Sequence, residues 1–476
     1  MGGGIILEFA TLVMPMLLVQ TSLFPDIIGP LGLLVGMAML ALLIPLRSNP
    51  SARQQHGADQ QRSFGGKDQH HRHRPAFLSI HRACVYLLTT IAILAVDFPL
   101  FPRRYCKTEV SGYGWMDLGA ASFIIIAGWA SALSDSTTTA TTRNNKDASV
   151  NGQPRIMTTS GRRLATKAIM KCGPLLMIGF IRLATNKGLE YQEHVSEYGV
   201  HWNFFFTLSI VEGSMVVWKG LKGQFSSTNT NQCLPFDFIL AMLIMVTYQW
   251  FLTNHGGQDF IVDGSRICNT QTYGDFLPGW LIIDHPVLCN IFVANREGIL
   301  GVFGYFSLRL FSEAISRRVL LPMQESFDHR DKQELLCHHR LFFMSVSLWM
   351  IHIGMTAGLN IPTSRRSTNS SFILWALSHN MTLLSLIYMV TARTTSAESE
   401  MKRLHPLLEA VNRFGLAVFL SSNILTGLVN LTFDTLHTSD RMAMIILTAY
   451  LMMVCGFALF LDDVKSKNAD ATLKFR

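Results

Sequence analysis

Charged side chains are scarce in this chain. Asp, Glu, Lys and Arg make up only 15% of its 476 residues, whereas hydrophobic residues make up 49% and the mean hydropathy is +0.28. Ordinary soluble domains carry roughly 25% charged residues. The composition therefore excludes a soluble globular protein and indicates an integral membrane protein.

The sequence motifs of several enzyme classes are missing as well. There is no P-loop, no GxSxG and no GxGxxG before a predicted helix, so ATP use and serine-hydrolase chemistry have no support. None of the eight cysteines forms a CxxC pair, which disfavours a zinc site, and we predict no bound metal. Cys268 and Cys289 fall in one predicted loop and are candidates for a disulfide. No basic segment precedes the first apolar run, so no cleavable signal peptide is expected.

Long apolar runs are what the sequence has instead. A helix needs about 20 residues to cross ~30 Å of hydrocarbon, and roughly twelve runs of that length occur. They are 5–24, 27–46, 83–101, 115–133, 166–185, 202–218, 233–253, 298–315, 341–359, 371–391, 411–431 and 442–461. The segment 280–293 is a candidate for a further short or re-entrant piece. Strand periodicity is absent, so the sequence predicts an all-α, polytopic bundle of 12–13 transmembrane helices forming one domain over 1–476.

Lysine and arginine are concentrated in alternate loops, which predicts the orientation in the membrane. One set of loops holds 26 of these residues and the opposite set holds 9. The richer set comprises 47–82, 134–165, 219–232, 316–340, 392–410 and the tail 462–476. Since the excess lies on the cytosolic side, both termini are predicted to be cytosolic. The formal charge of +8 is then a topology signal, and no nucleic-acid partner is predicted.

Two further features follow from this orientation. The polar, low-complexity segments 48–82 and 134–165 are predicted to be flexible cytosolic loops. Asn369-Ser370-Ser371 is a glycosylation sequon in a predicted non-cytosolic loop, so the chain is expected to be a glycoprotein.

Three polar blocks fall on the predicted non-cytosolic side. The first is Asp97–Asp117, the second is Tyr191–Asn203, and the third joins 254–257 to 295–298. Catalytic groups collect on loops that a rigid scaffold holds, so the gathering predicts one site at the membrane boundary.

The first block carries an acid and an amine ten residues apart, Asp97 and Lys107. A carboxylate at the end of a membrane helix costs roughly 2.5–3.5 kcal/mol even on insertion scales, which favours a functional reason for its presence. Acyl transfer to a hydroxyl needs a base for the alcohol and a cation for the developing oxyanion. Partial burial raises the pKa of a carboxyl group, so Asp97 is a candidate base and Lys107 a candidate electrostatic stabiliser.

Structural interpretations compete with this one at each position. Asp97 is also explained as a cap or as the partner of Arg103 or Arg104, and those two arginines as anchors to lipid phosphates. The spacing of four residues between Glu193 and Glu197 is also that of an ordinary surface helix. Asp117 begins a predicted span, where an acidic residue complements the helix dipole.

Two long strings resemble a known family. VDFPLFPRRYCK, from Val96 to Lys107, and YQEHVSEYGVHWNFFF, from Tyr191 to Phe206, are similar to segments of the glycosylphosphatidylinositol (GPI) inositol acyltransferases. The resemblance extends roughly from residue 84 to the C-terminus. It implies a multi-pass enzyme of the endoplasmic-reticulum membrane that transfers a fatty acyl group, typically palmitoyl, from acyl-CoA to the inositol ring of glucosaminyl-phosphatidylinositol.

The resemblance also implies roles for residues. Asp97 and Lys107 match the family's catalytic pair, and acyl-CoA is a co-substrate, so no bound cofactor is expected. Membrane lipids are the other expected partners, and no obligate protein partner is indicated. The residues expected to bind substrate are Arg103, Arg104, Glu109, Asp117, Glu193, His194, Glu197, His201, Trp202, Asn203, Asn254 and Arg296.

The chain departs from the family pattern at Cys106, where a small residue such as Ala is expected, and in having twelve predicted spans against the usual thirteen.

Other functions remain open at this point. Asp97 and Lys107 also suit a lipid transporter or flippase, in which they gate or carry protons. A non-catalytic subunit of lipid-anchor assembly is a third interpretation. A His/Asn-type membrane-bound O-acyltransferase is a fourth, for which His379-Asn380 is the one hint.

Overall fold

A computed structural model describes residues 5–6, 8–21, 76–147, 161–188, 195–225, 236–274, 276–322, 333–394 and 406–474. These residues contain helices and connecting turns but no β-strand. The prediction of an all-α polytopic membrane protein is therefore confirmed.

We number the helices in chain order. They are α1 (Phe9–Val19), α2 (Ala76–Ala95), α3 (Leu118–Asp147), α4 (Gly161–Gly188), α5 (Val195–Tyr198), α6 (Phe204–Phe225), α7 (Phe236–Asn254), α8 (Gly257–Asp263), α9 (Thr270–Tyr273), α10 (Gly279–Ile283), α11 (Pro286–Ala294), α12 (Arg296–Ile315), α13 (Gln333–Ile353), α14 (Ser370–Thr394), α15 (Pro406–Arg413), α16 (Gly415–Thr432) and α17 (Asp440–Lys474).

Among the described residues, ten helices are long and apolar enough to cross a membrane. They are α2, α3, α4, α6, α7, α12, α13, α14, α16 and α17, and each coincides with one of the predicted runs. Apolar composition and length identified these helices correctly because a polytopic bundle repeats the same strong signal in every span.

The predicted runs near the N-terminus are described only in part. In the first run, 5–24, the apolar helix is α1, which covers 11 residues, Phe9–Val19. The second run, 27–46, lies outside the described residues. The extra piece at 280–293 consists of two short helices, α10 and α11, broken at Pro286, and neither is long enough to cross a bilayer.

The ends of several predicted loops need correction. Helix α2 already begins at Ala76, so the predicted loop 48–82 is too long by seven residues, and its part before Ala76 lies outside the described residues. Helix α3 continues to Asp147 and α4 begins at Gly161, so helix occupies both ends of the predicted loop 134–165. Polar composition misplaced these ends because these helices continue past their apolar spans into polar residues.

The chain divides into two compact units. One comprises Met1–Cys106, Ser326–Phe342 and Met381–Arg476, and the other comprises Lys107–Glu325 and Phe343–Asn380. In the first unit, α2 packs against α1, α15, α16 and α17. Tyr450 of α17 is buried and donates a hydrogen bond to the carbonyl of Thr90 in α2 (3.0 Å), which fixes the register of these two helices.

Helix α12 is the central helix of the second unit. It packs against α3, α6 and α7, while α4 packs on α6. Its small residues allow close approach: a Cβ at Gly304 would overlap the carbonyl oxygen of Thr368. Glycine at this position therefore lets the loop before α14 lie directly against α12, and that loop carries part of the candidate site.

Candidate functional site

Asp97 lies just beyond the end of α2, in the first unit. The helix ends at Ala95 and not after Asp97 as the apolar run predicts, because Pro99 and Pro102 lie ahead and terminate it early. The Asp97 carboxylate accepts a hydrogen bond from the side-chain amide of Asn430, near the end of α16 (Nδ2 to Oδ2, 2.9 Å). The other side-chain atom of Asn430, Oδ1, is buried and has no hydrogen-bond partner among the described residues. Such an unsatisfied acceptor costs free energy, so this position merits a functional test.

The surroundings of Asp97 raise its pKa above the ordinary value for an aspartate. Burial is the main cause, and the Asn430 hydrogen bond and the positive charge of Arg103 offset it in part. A carboxyl group with a raised pKa is a stronger base when it is ionised. Because the carboxylate is only half-buried, it combines basicity with access.

Arg103 and Arg104 follow in a short 3₁₀ turn, Arg103–Tyr105, and both are exposed. The Arg103 guanidinium donates a hydrogen bond to the carbonyl of Val96 (2.8 Å), which extends the C-terminal capping of α2. The Arg104 guanidinium lies over the ring of Tyr105, 5.0 Å from its centroid. Both side chains lie on the surface of the first unit.

Lys107 lies in the second unit and forms an ion pair with Glu197. Its Nζ atom is 2.6 Å from Glu197 Oε1, and the two side chains are 40% and 20% exposed. An ion pair that is this accessible adds little stability, about 0–1 kcal/mol. Its main effect is to hold the lysine amine in one orientation.

A tight turn places Glu197. Helix α5 is one turn long and ends at Tyr198, and the φ of +116° at the following Gly199 is unfavourable for other residues. Asn295 then accepts a hydrogen bond from the backbone N–H of His201 (2.7 Å), and Val200 N–H donates to the carbonyl of Ala294 (3.0 Å). The start of α12 thus holds the segment that carries Glu197.

Cations dominate the electrostatics around Glu197. Burial alone would raise its pKa, but the charges of Lys107, Arg365 and Arg182, together with the hydrogen bond from Lys107, outweigh it and lower the pKa below the ordinary value. Glu197 is therefore anionic at neutral pH and is not a proton donor there.

Asp117, predicted to bind substrate, is bonded to protein groups in the structure. Its side chain is only 1% exposed and forms an ion pair with Arg365 (Oδ1 to Nε, 2.7 Å). It also accepts hydrogen bonds from the Thr108 hydroxyl (2.8 Å) and from the backbone N–H of Gly114 (3.1 Å). These partners surround the carboxylate, so Asp117 fixes the segment that follows Lys107. Asp117 also directly precedes α3, so the interpretation of an acidic residue at a helix start agrees with its position.

The segment 108–114 docks on the loop before α14. Gly112 N–H donates to the carbonyl of Thr363 (2.8 Å), and the Ser364 hydroxyl donates to the carbonyl of Val110 (2.6 Å). Arg365 projects from the same loop toward Asp117. The position of Lys107 is thus determined by contacts with a segment more than 250 residues later.

Asn369, the predicted glycosylation site, is 2% exposed. Its Oδ1 accepts hydrogen bonds from the backbone N–H groups of Ser364 (3.2 Å) and Phe372 (3.0 Å), and its amide donates to the carbonyl of Pro362 (2.7 Å). The amide nitrogen that would carry a glycan is therefore buried and bonded. Glycosylation at Asn369 stays a prediction, and the burial of this residue at the N-cap of α14 argues against it.

A second buried carboxylate, Glu297, anchors the other end of this loop. Its Oε1 lies 2.5 Å from Arg266, 3.0 Å from Arg366 and 3.9 Å from Arg296. The neighbouring residues Arg365 and Arg366 thus bind two different carboxylates. This arrangement makes the loop rigid, since each guanidinium fixes one side of it.

The remaining predicted site residues have varied positions. Arg296 is 1% exposed, and its guanidinium donates to the carbonyls of Ile261 and Val293. Asn203 is buried and caps α6, accepting from Phe205 N–H (3.0 Å). Both residues therefore support the fold.

Glu109, His201 and Asn254 are exposed, and Trp202 is partly buried. Glu109 accepts a hydrogen bond from the Ser196 hydroxyl (3.2 Å), and Trp202 donates one to Thr207 (2.9 Å). Glu193 and His194 lie outside the described residues.

Sequence reasoning missed Arg365, Arg366 and Asn430. The two arginines were counted only as loop charges, although adjacent cations on the predicted non-cytosolic side are a departure from the positive-inside pattern. A polar residue inside an apolar span is expensive to bury and commonly functional, and that signal points to Asn430.

Comparison with known proteins defines the family. The GWT1 family model matches residues 2–461. The chain belongs to the GWT1 family. It is 31% identical over 492 aligned positions to GPI-anchored wall transfer protein 1 of Aspergillus oryzae, covering 98% of this chain and 89% of the relative. The proteins of the same name from Aspergillus fumigatus and Candida glabrata are 32% and 33% identical, covering 82% and 81% of this chain and 73% and 74% of the relatives. The resemblance read from the sequence is thereby confirmed.

Proposed function

We propose that this GWT1-family protein acts in GPI-anchor biosynthesis as an acyltransferase. In this proposal it transfers a fatty acyl group, palmitoyl, from acyl-CoA to the inositol ring of glucosaminyl-phosphatidylinositol. Family membership and the names of its relatives support the pathway. The observation that carries the chemistry is the Asp97 carboxylate, which is half-buried, bonded to Asn430 and raised in pKa.

In the proposed reaction, Asp97 accepts the proton of one inositol hydroxyl while that oxygen attacks the thioester carbonyl. The C–S bond then breaks, and the proton passes from Asp97 to the departing CoA thiolate. The base must be ionised at the start and able to release its proton at the end. A pKa raised above that of a water-exposed aspartate makes the ionised Asp97 carboxylate a better proton acceptor.

Lys107 stabilises the negative charge that develops on the carbonyl oxygen. An ammonium group held in one orientation requires little reorganisation during the reaction, and Glu197 supplies that orientation through the 2.6 Å ion pair. Arg103 and Arg104, which expose guanidinium donors, bind the phosphate of the lipid. Bidentate recognition of phosphate is the chemistry for which arginine is best suited.

The proposed location is the endoplasmic-reticulum membrane, with the termini in the cytosol and the segments carrying Asp97 and Lys107 on the lumenal side. The Cys268–Cys289 disulfide, with Cα atoms 5.8 Å apart, supports a lumenal position for the loop between α7 and α12, because disulfides persist in oxidising compartments.

The test is an acylation assay with the purified full-length protein in nanodiscs. Labelled palmitoyl-CoA and glucosaminyl-phosphatidylinositol are supplied, and the lipid product is analysed by mass spectrometry. We expect stoichiometric formation of palmitoyl-inositol lipid and free CoA by the wild type. Arg413→Lys is a matched control, because Arg413 pairs with Asp462 (2.6 Å) far along the chain from the proposed residues.

The same preparation distinguishes the transporter interpretation. Movement of a fluorescent glucosaminyl-phosphatidylinositol between leaflets of proteoliposomes, without any acylated product, would replace the proposed reaction with lipid transport. Product formation by the wild type, with none from Asp97→Asn, supports the acyltransferase.

A further inference from the structure

Two short helices in the loop between α7 and α12 expose an apolar surface. Helices α10 and α11 lie outside the ten candidate spans, yet five of their large hydrophobic side chains are 50–70% exposed. These side chains are Trp280, Ile283, Val287, Leu288 and Ile291. A cluster of this size, exposed to water, would favour aggregation and therefore indicates a binding surface.

The length of these helices excludes a crossing of the membrane. Helix α11 has nine residues and is about 13 Å long at 1.5 Å per residue, less than half of the ~30 Å hydrocarbon core. The surface therefore has to be covered at the edge of the membrane or by another molecule.

The surface is held rigidly from behind. The Cys268–Cys289 disulfide ties α11 to the preceding segment. At the end of α11, Arg266 donates to the carbonyl of Ala294 (2.8 Å) and Arg296 to the carbonyl of Val293 (2.9 Å). These contacts satisfy terminal carbonyl groups that the helix leaves unpaired, so the exposed face is a fixed feature of the fold.

Helices α10 and α11 also share a buried cluster with a candidate membrane span. Ile282 and Val293 are buried in one cluster with Tyr248 and Leu252 of α7, so α10 and α11 pack on the end of that span. The opposite face of α7 exposes large apolar side chains that meet lipid, because α7 is a candidate membrane helix. These are Phe238, Ile239, Leu243, Val246 and Trp250.

Polar groups mark where the apolar surface stops. Asp284 and His285, between α10 and α11, are exposed, and the His285 ring lies 6.0 Å from the ring of Trp280. Tryptophan with polar neighbours is typical of the boundary between hydrocarbon and headgroups.

We propose that α10 and α11 form an interfacial anchor, lying in the plane of the membrane with Trp280, Ile283, Val287, Leu288 and Ile291 among the lipid acyl chains. The occupant of the surface is thus the leaflet that also surrounds the end of α7. Amphipathic helices bind membranes in this way without crossing them. This inference is independent of the proposed acyl transfer.

The test places single cysteines in the full-length protein, reconstituted at one copy per nanodisc. Ile283→Cys lies on the proposed lipid face, and Gln271→Cys, at an exposed position of α9 in the same disulfide-linked loop, is the matched control. Wild type gives the background from the native cysteines. Labelling with a water-soluble maleimide-polyethylene glycol is read as a gel shift, before and after SDS.

We expect at least tenfold slower labelling of Ile283→Cys than of Gln271→Cys in the nanodisc, and equal labelling in SDS. In a second measurement, the fluorophore bimane is attached to each cysteine in detergent without SDS, and the labelled protein is returned to nanodiscs whose lipids carry brominated acyl chains. The fluorescence of bimane at Ile283→Cys should be quenched, whereas that of bimane at Gln271→Cys should not. Equal labelling of both cysteines in single-copy nanodiscs would overturn the proposal. Protection that appears only at two copies per disc would also overturn it, by identifying a second copy of the chain as the occupant.

Discussion

Asp97 and Asp117 are two aspartates twenty positions apart whose surroundings differ in kind. Asp97 is half-buried and bonded to a neutral amide, that of Asn430. Asp117 is 1% exposed, paired with the guanidinium of Arg365, and bonded to Thr108 and Gly114. The first carboxylate keeps part of its surface available, whereas the second is enclosed by protein donors.

The comparison teaches that burial alone does not identify a reactive carboxylate. A carboxylate with a full set of charged and hydrogen-bonding partners stabilises structure, and removing it leaves a buried cation uncompensated. A carboxylate with a neutral partner and partial exposure gains basicity without losing access. Each of the following substitutions tests one side of this contrast.

Asp97→Asn should have the largest effect on activity. Because it removes the proposed base while keeping the shape, kcat for acyl transfer should fall about 10²- to 10⁴-fold. The measurement is the nanodisc acylation assay, with the thermal unfolding temperature as the folding control. A variant that unfolds at a lower temperature in proportion to its lost activity would assign Asp97 to structure instead.

Asp117→Asn should mainly lower stability and thus the amount of folded protein, whereas Asp97→Asn should mainly lower activity. Replacing this carboxylate breaks the buried ion pair with Arg365, at a cost of about 3–5 kcal/mol. We expect a lower unfolding temperature by differential scanning fluorimetry and reduced accumulation in membranes. Arg413→Lys, at a surface pair that is 39% and 30% exposed, should leave both values unchanged. Normal stability of Asp117→Asn would remove the contrast between the two aspartates.

Lys107→Ala should lower kcat about 10²- to 10³-fold, the magnitude typical of losing one charge-stabilising donor. Glu197→Gln keeps the lysine but removes the charge that orients it, so it should lower kcat less than Lys107→Ala does. Steady-state kinetics on both variants provides the check. Full activity of Lys107→Ala, with Glu197→Gln impaired, would reverse the assigned roles.

Asn430→Ala should alter the pH dependence more than the maximal rate. The Asn430 hydrogen bond lowers the pKa of Asp97, so its removal should raise that pKa further. Because the base must be ionised, kcat/KM rises with pH through the pKa of Asp97, and this rise should move to higher pH in the variant. The pH profile of kcat/KM is the measurement, and Asn423→Ala, a neighbour on the same helix, is the control. An unchanged profile would show that Asn430 does not act on the base.

Asn369→Gln should leave the apparent mass of the protein unchanged. Since the Asn369 amide is buried and bonded, no glycan is expected there, and the wild type and the variant should migrate identically before and after endoglycosidase treatment. A shift that is lost in the variant would contradict the position assigned to Asn369.

The fold was largely predictable because apolar length is a strong and repeated signal. All ten spans of the described residues coincide with predicted runs, and the pairing of Cys268 with Cys289 agrees with one candidate disulfide. Helix ends were less predictable: α2 stops before Asp97 and α3 runs on to Asp147. Capping, proline placement and packing decide those ends, and the length of an apolar run does not report them.

The candidate site was predictable only in part. Local strings identified Asp97, Lys107 and Glu197 as chemically unusual residues. They did not identify the partners, because Arg365 reaches Asp117 and Asn430 reaches Asp97 across 248 and 333 residues. A single sequence carries no signal for contacts at such separations, so Asp117 and Arg296 were predicted to bind substrate although their side chains bind protein groups.

The most direct measurement is a single-turnover reaction of folded Asp97→Asn, with both substrates saturating and product quenched on the millisecond-to-minute scale. The account predicts that substrates still bind and that the rate of ester formation is at least about 10²-fold below that of the wild type. An ester-forming rate equal to the wild-type rate would contradict it, since the hydroxyl proton would then be leaving by a path that does not involve this carboxylate.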